Sequence, residues 1–374
     1  MNMIKKIPRK RLVFLFILST VLVSSIYFVY HNHAFYQDPI VEVTKVTIID
    51  EQEVTDGQGH IDIIYTQAIE GKLKNSLQKG ERVYLENEFS QSRVYHPEFQ
   101  VGDDVFVTID QVQEGDDLTG SIIDAKRDHY LLLVGWFFML VLIAVGRRQG
   151  LFAVISLVVN AVLISLALDV YIATNDVTLL FIMSLAVIAM TALSLVLVSG
   201  LTHQTYAAII ATLIGTFSLL FITMLVLAMT NAEGLRFEEM EFLTRPPEAV
   251  FMAGILVGAL GAVMDVAVTI SSSLFSLYDK NHQISDHDLK QSGIEIGKDI
   301  MGTMTNILFF AYVSGTIPTL LVYFMNGAPL GFTLSLNLSL ELTRALAGGI
   351  GIVLTIPIGL YTTIFFINRK RASV

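Results

Sequence analysis

A charged side chain in hydrocarbon costs roughly 2.5–3.5 kcal/mol or more, so a carboxylate kept inside an apolar helix is a functional candidate. Its chemistry would be to take up a proton or to coordinate a cation. Asp265 is that residue here: it follows the apolar run Val250 to Met264 and precedes Val266-Ala267-Val268-Thr269-Ile270 and the serines Ser271, Ser272 and Ser273. At 1.5 Å per residue it lies about 24 Å in from the outer end of its span, in the inner third of a bilayer. Lys298, Asp299, Thr303 and Asn306, in the next helix, are expected to line its inner side together with Ser271. Two readings of the carboxylate stay open. It serves a proton or ion, or it only locks helices together by pairing with Lys298 or Arg148.

These residues need elements to position them. Gly254, Gly258, Gly261 and Ala262 give the small-xxx-small spacing that lets helix backbones approach closely, so a buried helix is expected around Asp265. Ser285-Asp286-His287-Asp288 reads as a capping box opening a cytoplasmic helix near 285–303, with Leu289, Ile296 and Ile300 at helical spacing, that runs on into the following span. Thr-Ile-Pro occurs at Thr316-Ile317-Pro318 and again at Thr355-Ile356-Pro357. Each proline removes a backbone hydrogen bond, so broken helices are expected at Pro318 and Pro357, with Gly348, Gly349 and Gly351 adding flexibility or close packing.

Eight stretches approach the roughly 20 apolar residues that a bilayer core requires. They run from Leu12 to Tyr30, Tyr130 to Gly146, Leu151 to Leu168, Val177 to Ser199, Tyr206 to Met229, Ala249 to Phe275, Thr305 to Met325, and Ala345 to Ile367. Arg147, Arg148, Gln149 and Gly150 form a tight turn between the second and third. Lys and Arg mark cytoplasmic loops. Lys5, Lys6, Arg9, Lys10 and Arg11, then Arg147 and Arg148, then Lys280, Lys290 and Lys298, and finally Arg369, Lys370 and Arg371 fall on one side, whereas the opposite short loops hold Arg236, Arg245 and Arg344. Both termini are therefore expected in the cytoplasm. The first span is read as an uncleaved anchor, since Tyr30-His31-Asn32-His33 offers no small-residue cleavage site.

Residues 31–129 form the stretch long enough for a soluble domain, and they carry 8 basic against 20 acidic residues, a net of −12. Alternation at Val41 to Ile48, Ile61 to Tyr65, Arg82 to Leu85 and Val105 to Ile109 predicts strands, with Gly57, Gly59, Gly71, Gly80, Gly102 and Gly115 between them as turn residues. The expected packing is a small closed β-barrel of the OB type. Asp103-Asp104 and Asp116-Asp117 lack the alternating ligand spacing of a calcium loop and read as a solvated acidic face. His31 and His33 read as interfacial polar residues, and His282, Asp286, His287 and Asp288 as helix-start chemistry rather than a metal site.

Across 374 residues, 53% are hydrophobic and 16% charged, against about 25% charged in soluble domains. With 24 basic against 34 acidic residues, the chain offers no basic surface for nucleic acid. The absence of cysteine excludes disulfides and thiolate chemistry. A single intramembrane carboxylate does not make an aspartyl protease dyad, and no hydrolase elbow, zinc-protease helix, P-loop or dinucleotide turn is present, so no enzyme and no cofactor are expected.

Gly258-Ala259-Leu260-Gly261-Ala262-Val263-Met264-Asp265-Val266-Ala267, Ile296-Gly297-Lys298-Asp299-Ile300-Met301-Gly302-Thr303-Met304-Thr305-Asn306 and Arg344-Ala345-Leu346-Ala347-Gly348-Gly349-Ile350-Gly351 resemble the YibE/F-like family of bacterial multi-pass membrane proteins. The stretch from Asp128 through Gly150 resembles that family's entrance to its membrane domain. The resemblance implies an anchor helix, an exported β-rich domain and a seven-span core, and it implies no substrate.

The expected fold is thus mostly α: a polytopic helical membrane bundle of about eight spans with an exported OB-like barrel, divided into an anchor (1–30), an extracytoplasmic domain (31–129) and a seven-span membrane domain (130–374). The expected function is permease-like transport of a small solute or ion, with the bilayer and an envelope protein as partners. The alternative is a non-transporting sensor or assembly protein acting through the exported domain. The sequence does not fix an oligomeric state.

Overall fold

A computed structural model describes residues 9–55, 59, 61–76, 78–92, 97–110, 118–174, 177–240 and 245–372. Lys5, Lys6, Gly57, Gly115, Asp116 and Asp117 fall outside the described residues. Two compact units divide the chain, 1–141 and 142–374.

In the first unit, α1 (Arg9–Tyr30) leads into five strands: β1 (Ile40–Thr55), β2 (Ile61–Leu73), β3 (Arg82–Ser90), β4 (Asp104–Ile109) and β5 (Leu118–Ala125). Strands β1 to β4 arise where period-two alternation predicts them. β1 and β2 are longer than the alternation suggests because β1 is bulged near Thr44 and Ile49, so it bends while it stays paired, and Gly71, expected at a turn, lies inside β2 opposite Val43. The order is β1-β2-β3-β5-β4 with β4 returning to β1, antiparallel throughout except for β3 against β5. Val41, Val43, Ile69, Leu73, Val83, Leu85, Phe99, Val105, Val107 and Leu118 fill the interior. The fifth strand lacks clean alternation because Gly120 must lie on the β4 backbone: a Cβ there would sit 2.1 Å from the Thr108 carbonyl oxygen.

Buried polar groups tie the start of this domain to its end. Asn75 Oδ1 accepts from the Ile40 amide, and its Nδ2 donates to the carbonyls of His33, Tyr36 and Asp38. Lys126, 4% exposed, donates to the Val29 carbonyl at the end of α1 and to Asp128 Oδ1, both at 2.8 Å. Asp128 Oδ2 accepts from Asn32 and from the Tyr36 hydroxyl at 2.9 Å each. Burial alone would raise the Asp128 carboxyl, but the hydrogen bonds from Lys126, Asn32 and Tyr36 outweigh it and hold the carboxyl below its ordinary range. The Trp136 indole N–H donates to Ser25 Oγ at 2.8 Å, joining α1 to the helix that follows the sheet.

That helix, α2 (Asp128–Ala173), breaks its backbone regularity at Arg147, whose φ of 49° and ψ of −119° are not helical, so two helices meet at the expected Arg-Arg-Gln-Gly turn. Gly150 makes the turn feasible: a Cβ there would lie 2.0 Å from the Leu142 carbonyl oxygen. Gly150→Ala is expected to cost on the order of 2 kcal/mol, read as a lowered melting temperature of the detergent-solubilised chain, whereas Gly146→Ala, with open space at its Cβ, should be nearly neutral.

The second unit continues with α3 (Leu179–Ser199), α4 (His203–Thr230), α5 (Pro247–Lys280), α6 (Asp286–Met325) and α7 (Leu330–Ala372). Among the described residues, six helices, α2 to α7, are long and apolar enough to cross a membrane by length and composition, and α1 holds a shorter apolar stretch, Phe16–Tyr30. α5 is central, packing on α3, α4, α6 and α7. Its buried Phe251, Ile255 and Leu256 pack in one cluster with Val187 and Leu219, and its Ile270 and Leu274 in a second with Ile352. Gly215 on α4 lets Thr355 of α7 approach, since a Cβ there would lie 2.3 Å from the Thr355 hydroxyl.

Two expectations change. α6 and α7 run through Pro318 and Pro357 without breaking. Both prolines sit on exposed sides of their helices, so each lost hydrogen bond is on the surface of the bundle rather than in its core. α7 also begins at Leu330, fifteen residues before the predicted span, so Arg344 lies inside a helix rather than in a loop.

Candidate functional site

Pro246 and Pro247 open α5 with φ already suited to a first turn. From there the apolar residues recur so that one broad side is buried. Gly254, Gly258, Gly261 and Asp265 follow at intervals of four, three and four residues and so share one side. That side is the exposed one. The expectation of a buried helix therefore holds, but the glycine stripe is not the surface it buries: large residues on the other sides of α5 do the packing.

Two side chains lean over the stripe. A Cβ at Gly258 would lie 2.1 Å from the Tyr312 hydroxyl of α6, and one at Gly254 would lie 3.8 Å from Nε of Arg344 on α7. At Gly261 a Cβ would meet nothing within 4 Å. Arg344 donates through Nη1 to Glu341 and stacks 5.2 Å over the Phe251 ring, while its Nε is buried without a hydrogen-bond partner among the described residues. Along the axis, Asp265 lies about 10 Å from Gly258 and about 16 Å from Gly254. The stripe thus carries an ion-paired arginine at one end, a phenol next and an exposed carboxylate beyond.

Asp265 makes no hydrogen bond or ion pair among the described residues. Neither expected partner engages it: Arg148 stacks on Phe152 at 5.5 Å, and Lys298 is exposed. Lys298, Asp299, Thr303 and Asn306 are all exposed, and α6 is rotated so that Gly293 and Gly297 meet α7. Cβ atoms at those glycines would lie 2.5 Å from Leu360 and 2.3 Å from Ile356. Asn306 lies about half a turn around from Gly297, with Asp299 and Thr303 beside it. The structure therefore does not bring these residues to the carboxylate. The small residues that let α7 approach α6 fix the helix the other way round.

Ser271 is fully buried and shares a 3.0 Å hydrogen bond with Thr363, a clasp between α5 and α7 rather than part of an open path. Gly349 packs 3.2 Å from the Thr305 methyl, counting from a Cβ built on it, so it serves close packing. At the start of α6 the Ser285 hydroxyl accepts from the Asp288 amide and donates to the Asp288 carboxylate, a variant of the predicted box. Asn368 and Arg371 bind Asp286 at 2.8 and 2.6 Å and, Asn368 first, hold its carboxyl below the usual range. His33 bonds Asp104 at 2.7 Å, and Asp103 accepts from the Gln100 amide. His31 bonds the Tyr27 carbonyl at 2.9 Å. These histidines and carboxylates are occupied with local structure.

Tyr312, Glu341 and Arg344 are the site residues that spacing did not reveal. Tyr312 sits in an otherwise apolar run, and Arg344 read as the edge of a loop.

A family model described as YibE/F-like protein matches residues 134–369, and one described as YibE/F family N-terminal domain matches residues 34–125. No curated protein and no solved structure matches the chain. Because the first match alone spans more than half of the 374 residues, from the aromatic-rich opening of α2 through the Asp265 helix to the end of α7, this chain belongs to the YibE/F-like family.

Proposed function

We propose that this protein is a multi-pass membrane permease that moves a small cation or a proton-coupled solute along the open side of α5, with Asp265 as the coordinating or coupling carboxylate. The observation that carries this is the exposure of Asp265, without a charge partner among the described residues, on the glycine side of α5, a helix whose other sides pack on α3, α4, α6 and α7. An unpaired carboxylate facing lipid would be costly, and one facing a watered groove is available to a cation. In this reading α1, the two halves of α2 and α3 to α7 make eight passes. The distribution of Lys and Arg supports cytoplasmic termini, with the acidic domain of residues 31–129 outside. The strand order, with β3 parallel to β5, supports the OB type for that domain. No catalytic role is assigned, and an envelope protein remains a proposed partner of the exported domain.

Since the chain has no cysteine, water access can be read directly. In native vesicles, Asp265→Cys should react with a charged methanethiosulfonate reagent. Leu201→Cys, in an exposed loop, serves as the positive control, and Leu346→Cys, exposed on the apolar surface, as the negative one. Protection of Asp265→Cys while Leu201→Cys reacts would exclude a watered path.

A second reading, a sensor or assembly protein, is favoured by one observation: Lys126 and Asp128 bond the end of the sheet domain to α1 and α2. Removing residues 45–126 would then abolish function while Asp265→Asn preserved it.

A further inference from the structure

α6 has a second polar side that the proposed path does not use. Asp299, Thr303, Asn306 and Phe310 recur at intervals of four, three and four residues and are all exposed, Phe310 to 65%. They lie opposite Gly293 and Gly297, where α6 meets α7, so among the described residues of the second unit no helix covers them. The Thr303 hydroxyl is satisfied by the Ile300 carbonyl at 2.9 Å. The Asn306 amide has no partner among the described residues, nor do Lys298 and Asp299. Gly302, between Lys298 and Asn306 on this side, presents bare backbone, since a Cβ there would meet nothing within 4 Å. In a membrane, an uncovered amide on an apolar helix is costly, and a partner helix supplying the matching amide removes the cost.

We propose that α6 joins two copies of this chain through the side carrying Lys298, Asp299, Gly302, Thr303 and Asn306. The occupant is a second copy because the patch complements itself. A two-fold axis along the membrane normal sets α6 beside its own image in parallel. Lys298 of one copy then meets Asp299 of the other, and the reverse, on either side of the axis. Asn306 faces its counterpart about 10 Å deeper, and an amide both donates and accepts, so two identical ones satisfy each other. This inference rests on the membrane reading of the apolar helices and not on transport.

The test uses the full chain in native membranes with a single introduced thiol, which the cysteine-free sequence permits. Phe310→Cys, oxidised by copper phenanthroline, should give a disulfide-linked species of twice the chain mass. Phe181→Cys, on α3 and 57% exposed, should not. In the Phe310→Cys background, Asn306→Leu should lower the yield about five-fold, the order expected for one lost interhelical hydrogen bond. Lys298→Asp should lower it too, and adding Asp299→Lys should restore it, because the swapped pair is again self-complementary. If Phe310→Cys protein recovered in the membrane fraction gives no doubled species, links only to a different protein, or yields no more than Phe181→Cys, the inference is wrong. Loss of the protein from the membrane fraction would instead overturn the membrane reading on which it rests.

Discussion

Asp265→Asn, reconstituted into liposomes carrying a trapped pH-sensitive dye, is expected to lose at least about ten-fold in cation- or proton-driven flux. Asparagine keeps the shape of aspartate but exchanges one acceptor oxygen for a donating NH2 and cannot ionise, so it neither holds a cation by charge nor carries a proton. The change should leave abundance and melting temperature unaltered, because the carboxylate is exposed and makes no bond that the fold depends on. Gradients of monovalent and then divalent cations, imposed one at a time, identify the ion. Asp265→Glu should retain more flux than Asp265→Asn, since the charge survives at a slightly different reach. Wild-type flux in Asp265→Asn liposomes would sink the coupling role. Flux no higher than in empty liposomes for every form, the wild type included, would instead favour the sensor reading.

Lys126→Met is expected to destabilise the first unit by about 3–5 kcal/mol, the usual loss when one member of a buried ion pair is removed and the other stays. The Lys126 side chain is 3% exposed and Asp128 25%, so water cannot easily replace the missing ammonium. The single tryptophan, Trp136, is 7% exposed and bonded to α1, so its fluorescence reports this unit alone. Lys126→Met with Asp128→Leu should recover part of the loss, because no uncompensated charge is then buried. The pH dependence follows from the depressed Asp128 carboxyl. A carboxyl that titrates lower in the folded chain contributes stability above its ordinary value of about 3.9, and that stability is lost as pH falls through the folded value. The melting temperatures of wild type and Asp128→Asn should therefore differ at neutral pH and converge in acid. An equal difference at both would show that Asp128 acts by shape rather than charge.

Much of this architecture is legible in the sequence because the bilayer and the pleated strand both impose strong periods. The runs beginning at Val41, Ile61, Arg82 and Val105 alternate because one side of each strand faces the core, and the Arg147 turn follows from two apolar runs too long for one span. β5 escapes notice because Gly120 is chosen for contact with Thr108, not for alternation. The early start of α7 is hidden by Ser335, Asn337 and Ser339, which read as loop residues, although Asn337 bonds the Thr333 carbonyl within the helix. Asp265 stands out because one charge in an apolar run is conspicuous. Its surroundings do not, because a glycine stripe has the same spacing whether a backbone, a tyrosine or water lies over it. Helical phase decided the position of Lys298, Asp299, Thr303 and Asn306, and a spacing argument confined to one helix cannot supply that.

The bonds from Lys126 and Asp128 back to Val29, Asn32 and Tyr36 span 92 to 97 residues. Synthesis proceeds at about 5–20 residues per second, so α1 leaves the ribosome roughly 5–20 s before the groups that hold it exist. During that interval α1 has neither Lys126, Asp128 nor Trp136 to hold it, so its place beside α2 waits for residues that follow the last strand. The sheet domain is in this sense the assembly jig for α1 and α2 on either side of it, and a slow-folding variant of the sheet should leave α1 open to proteases for longer.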